Sequence, residues 1–155
     1  MKKEKIKDVY GKLRPKLPTY ALINKDFEIS RISEVNKDFV LRDIRRKMNE
    51  KVIFFCRVIE GLLFPTQPNA ISMHEGKFFD EDERKKLLDA YKNLMRYERE
   101  SVRLDVEGNE RDEAGYINNL AKNWMEYKKY MKEVTKTMKD AWSKEENIVI
   151  NNYVG

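Results

Sequence analysis

An all-α fold of three long helices is what the sequence predicts, on three observations. Ile117, Leu120, Trp124, Tyr127, Met131, Val134, Met138 and Ala141 alternate steps of three and four without a break, the seam of coiled-coil-like packing. Leu41, Ile44, Met48, Val52, Phe55, Ile59 and Leu62 keep the same spacing earlier in the chain. Between them, Asp80 stands three residues before Glu83, with acids at 81 and 82, which is the form of a capped helix start.

In chain order, Ile6, Val9, Tyr10 and Leu13 mark a short amphipathic helix, ended by Pro15 and Pro18. Residues 20–32 read as loop with short extended pieces at 20–23 and 27–32, where Phe27 and Ile29 alternate with polar residues. Ser33 is the expected cap of the first long helix, over 34–63. From Val52 onward Ile53, Phe54, Cys56, Val58 and Leu63 widen its apolar stripe, so that half is expected to be the most buried element. Pro65, Pro68 and the residues to Lys77 form a connection without periodicity.

The second long helix opens at Asp80, turns Leu88, Tyr91, Met95 and Val102 inward, and stops before Gly108-Asn109. The third covers about 111–143. A loop of a few residues makes these two an antiparallel helical hairpin packed on the first long helix. Their charges agree with that pairing, since residues 80–113 carry a net −4 and residues 122–144 a net +4. Residues 147–155, with Ile148, Val149, Ile150, Tyr153 and Val154 among asparagines, read as an extended tail suited to docking. The organisation expected is a basic N-terminal arm at 1–19 and a single helical domain at 20–155.

Composition narrows the classes. Apolar residues make up 41% of the 155 and charged residues 38%, too hydrophobic for disorder. The single cysteine, Cys56, excludes an internal disulfide framework and favours a reducing compartment. No apolar run follows the charges of the first residues, so no secretion signal is expected and the location expected is cytoplasmic. The longest apolar stretch, 52–64, is interrupted by Arg57, Glu60 and Gly61 and falls short of the roughly 20 residues needed to span a bilayer.

Motifs for chemistry are missing. His74 is the only histidine, which leaves no Cys/His zinc set and no paired Glu-x-x-His for a di-iron bundle. It is read as a solvated loop residue, and Cys56, in the most apolar run, as an inert core thiol. Gly76-Lys77 lacks the upstream glycine and following hydroxyl of a phosphate loop. Helix capping accounts for the acids at 80–83. Glu98 falls on the inner stripe, so its carboxylate needs a partner, for which Arg45, Arg57 and Lys128 are available. A structural ion pair is the expectation; the competing reading is a functional carboxylate paired with Glu60. The expectation is therefore a protein that is not an enzyme, with no cofactor and no metal.

Basic residues form the better constellation. Residues 1–20 hold seven Lys/Arg against two acids, while the other 135 are formally neutral, so the arm carries the whole +5. Its cations include Lys2, Lys3, Lys5, Lys7, Lys12 and Arg14. On the third helix Lys122, Lys129, Lys132, Lys136 and Lys139 share a face turned away from the seam, over about 26 Å. Such a row suits a phosphate backbone and reads no sequence, with Tyr130 and Trp142 near enough to stack on bases. The alternative is an ordinary solvated helix face, since Glu126, Glu133 and Asp140 flank it. The expected partner is DNA or RNA; a homo-oligomer or protein partner docked through the tail is the alternative.

Overall fold

The computed structural model describes residues 4–65 and 69–143. Over these the fold is all-α, with no strand among the described residues. The order is α1 (Ile6–Tyr10), α2 (Tyr20–Phe27), α3 (Val40–Leu63), α4 (Ala70–Gly76), α5 (Glu81–Val106) and α6 (Glu110–Asp140), with 3₁₀ turns at Ile29–Arg31 and Lys37–Phe39 before α3. The expected tail and Lys2 and Lys3 lie outside the described residues. Among the described residues, no helix is long and apolar enough to cross a membrane.

Helix α3 packs on both α5 and α6. The Asp80 carboxylate caps α5 by accepting from the Glu83 N–H at 2.8 Å, and Asn109 caps α6 by accepting from Asp112 at 2.9 Å. Between those helices the chain turns within three residues, and Gly108 is what lets it do so. A Cβ there would stand 2.5 Å from the Leu104 carbonyl oxygen, closer than any side chain tolerates. Across the hairpin Arg103 reaches Asp112 near the turn, and the Tyr97 hydroxyl donates to the Asn119 carbonyl further along, so α5 and α6 run antiparallel.

The α6 seam is inside: Ile117, Leu120, Trp124, Met131, Val134 and Ala141 are buried, and Tyr127 and Met138 pack against the core half-covered. They meet Ile44, Met48, Val52 and Ile59 of α3 and Leu87, Leu94 and Leu104 of α5. The expected inner stripe of α5 is rotated by about one residue. Ser101 is buried and Val102, its neighbour, is 44% exposed.

The reason is Arg45, a fully buried arginine on the apolar stripe of α3. Its guanidinium binds both oxygens of Glu113 on α6, at 2.7 and 3.1 Å. It also donates to the Ser101 carbonyl and hydroxyl, at 2.9 and 2.7 Å, and to Asp105 at 2.6 Å. All five guanidinium N–H donors are thereby used. Ser101 faces inward because it supplies two of the acceptors, and the adjacent Val102 is left outside. One turn along α3, Asn49 accepts from the buried Tyr116 hydroxyl at 2.9 Å.

Three local expectations are corrected. Residues 20–27 are helical rather than extended, since the Thr19 side chain accepts from the Leu22 N–H and Ile23 and Phe27, four apart, bury one face. Helix α3 begins at Val40, not 34, because the Asn36 side chain accepts from the Asp38 N–H and holds the preceding residues in a tighter turn. The connection before α5 contains α4, capped by Asn69, and His74 within it is 5% exposed rather than solvated. Its Nε2 donates to the Ala141 carbonyl at 2.9 Å, which ties α4 to the end of α6.

Candidate nucleic-acid interface

Because the seam fixes one side of α6 against α3 and α5, the opposite side is committed to solvent for all 31 residues of the helix. Lys122, Lys129, Lys132, Lys136 and Lys139 are all exposed there. Among the described residues none of the five stands within 4.0 Å of a carboxylate. Lys128, which turns toward α2, is instead bound to Asp26. The row thus keeps its charge free while the lysine beside it does not.

The arm is fastened to the body. Ile6, Val9 and Tyr10 enter the main hydrophobic cluster, and the Tyr10 hydroxyl donates to the Pro18 carbonyl at 2.6 Å. Burial pushes that phenol up to about 12. Lys5, Lys7, Lys12 and Arg14 remain exposed on the outside of this segment. Glu4, their acidic neighbour, pairs with Lys37 at 3.0 Å. Where the arm ends, the Lys16 carbonyl accepts from Asn118 Nδ2 at 2.8 Å. Asn118 lies four residues before Lys122, on the same face of α6. The arm therefore abuts the start of the lysine row.

The aromatic residues expected to stack on bases are otherwise engaged. The Trp142 ring tilts against His74 at 4.6 Å and its Nε1 donates to Glu75 at 3.2 Å. Tyr130 is half-buried, and desolvation pushes its hydroxyl up to about 12. Phe54, assigned from sequence to the buried stripe, is instead 55% exposed. Its neighbours Phe55 and Cys56 occupy the inward angles of α3 and leave Phe54 on the outer side.

The two carboxylates weighed as a pair, Glu98 and Glu60, both lie near Cys56. Glu98 does not pair with Arg45, which is saturated by Glu113, Ser101 and Asp105. It reaches Arg99 at 3.2 Å, and its buried Oε2 makes no hydrogen bond among the described residues. Glu60 is exposed. Burial, with the negative charges of Glu98 and Glu60 nearby, pushes the Cys56 thiol up to about 11, so it stays protonated. No group of three His, Cys, Asp or Glu among the described residues is placed to hold a metal. A groove of about 480 Å³ between α5 and α6 is lined by Asn93, Asn119 and Asn123 with Tyr97. Within it Asn123 donates to the Tyr97 hydroxyl and to Asn119 Oδ1, each at 3.1 Å.

Comparison with protein-family models, curated proteins and solved structures finds no match for the chain.

Proposed function

We propose that the protein is a non-enzymatic binding protein that engages nucleic acid without sequence preference, through the lysine row of α6 and the cations of the arm. The observation that carries this reading is the freedom of Lys122, Lys129, Lys132, Lys136 and Lys139 from intramolecular carboxylates among the described residues, along one rigid face of about 26 Å. Phosphate binding uses cations spaced along one backbone track, and the exposed Glu126, Glu133 and Asp140 stand beside this row. Asn118 and Lys16 join arm and row into a single basic track.

The test is binding to DNA and RNA at low salt, repeated as salt rises. The logarithm of affinity should fall linearly with the logarithm of salt concentration. Replacing Lys132 or Lys136 by Ala should flatten that slope by about 1 each. For the arm, Lys5, Lys7, Lys12 and Arg14 are best replaced together by Ser. Deleting the segment would strip Ile6, Val9 and Tyr10 from the core and confound charge with folding. Absence of binding at low salt rejects the reading.

A structural docking role is the second reading. It is favoured by Phe64, Ile71 and Met73, which are 52, 58 and 51% exposed around the α3–α4 connection. Light scattering that gives a monomer counts against self-association.

A further inference from the structure

A cleft of about 270 Å³ opens where α2, α3 and α6 meet, on the flank of the lysine row. Lys51 and Phe54, one turn apart on α3, line it together with Lys132 and Thr135 of α6. Its base is apolar and rigid. The Phe55 ring stacks on the Trp124 indole, with centroids 4.8 Å apart and planes within 6°, and Phe27 meets the same indole at 4.7 Å. Phe54, 6.0 Å from Phe55, is left 55% exposed at the opening.

A single bare aromatic ring is common on protein surfaces and signifies little alone. Here its surroundings select an occupant. The carboxylate in the cleft, Asp26, is already neutralised by Lys128. Among the described residues neither Lys51 nor Lys132 has a carboxylate within 4.0 Å, so the charge facing the opening is positive. An occupant must be flat and apolar on its face and anionic at its edges. An unpaired nucleobase between two phosphates has that chemistry; a base stacked inside a duplex does not present its face.

We infer that this cleft receives one unpaired base on Phe54 while Lys51 and Lys132 hold the phosphates on either side, so that the surface prefers single strands to duplex. The inference rests on the nucleic-acid reading above and names which form of nucleic acid it takes. Stacking does not use the sugar 2′-hydroxyl, so single-stranded DNA and RNA are bound alike.

The experiment is fluorescence anisotropy of the full chain with labelled oligothymidylate, oligouridylate and a duplex of the same length. Wild type, Phe54→Ala and Phe54→Trp are compared at one salt concentration. Both single strands should bind more tightly than duplex. Phe54→Ala should weaken single-strand binding roughly tenfold, the loss of one stacked base, with duplex binding unchanged. Phe54→Trp should retain it. Circular dichroism melting checks that the variants fold alike. If the wild type binds neither form, the nucleic-acid reading fails and takes this inference with it. If it binds both equally and Phe54→Ala alters neither, the cleft assignment alone is overturned. A sedimentation change caused by Phe54→Ala assigns the cleft to a second copy of the chain and also overturns it.

Discussion

The two ends of the α3–α6 contact are held together by opposite means. Near the α5–α6 turn, Arg45 and Asn49 join the helices through directional bonds in which every guanidinium N–H has an acceptor. Toward the other end, Phe55, Trp124, Ile59 and Met131 hold them by burial. Directional bonds leave no slack, because removing one partner strands the rest in a dry interior. Apolar packing has no such stoichiometry and can border an open cleft without penalty to its neighbours. The cleft proposed to take a base lies at the aromatic end.

Breaking that contrast should give a graded series. Arg45→Met leaves Glu113, 4% exposed, with only Arg42 at 4.0 Å in place of its two-pronged partner, and should cost about 3–5 kcal/mol by urea unfolding. Pairing it with Glu113→Leu should recover much of the loss, since the orphaned charge is then gone. Ile59→Val, at the aromatic end, should cost only about 0.5–1.5 kcal/mol on the same measurement.

Acid should loosen the Arg45 end. The hydrogen bond from Arg45 holds the Asp105 carboxyl below its ordinary value, against some desolvation and with help from Arg46. A depressed folded value means the stabilisation is present above the unfolded pKa of about 3.9 and is lost as pH falls through the folded one. Thermal melts from pH 6 downward should show a drop below about pH 4 that Asp105→Asn reduces. Ile59→Val should leave that drop as it is. Smallest of all, Phe54→Ala should change stability by no more than about 0.5 kcal/mol, because the ring is largely in water. A larger loss would mean that Phe54 supports the fold rather than serving the cleft.

Sequence legibility follows the same division. The α6 seam could be read because burial alone sets it, and burial writes a period of 3.6 into the chain. The cap at Asp80 and the stop at Gly108-Asn109 could be read because they are local. Ser101 could not, since its inward position depends on Arg45, 56 residues away in sequence. Nor could His74, whose burial depends on the Ala141 carbonyl, 67 residues distant. For α2 the signal was present: Thr19 ahead of Ile23 and Phe27, four apart, is a cap before a helical pair. The alternation of Phe27 with Ile29 suggested extended chain instead, and Ile29 in fact begins a separate 3₁₀ turn after Glu28 reverses the backbone at φ 53°. Of the site, the five lysines were legible from spacing, whereas exposure of Phe54 within an apolar run follows only from how α3 is rotated.

Arg45 also bears on the mechanics of the surface it never touches. Sliding α6 along α3 by one turn, about 5.4 Å, would carry Glu113 out of reach of the guanidinium, so the bundle has a single shear setting. Lys51 and Lys132 sit on those two helices. The gap between them is thus gauged by a salt bridge buried less than two turns along α3 from Lys51, and a polymer lying across it must adapt its own backbone to a fixed span.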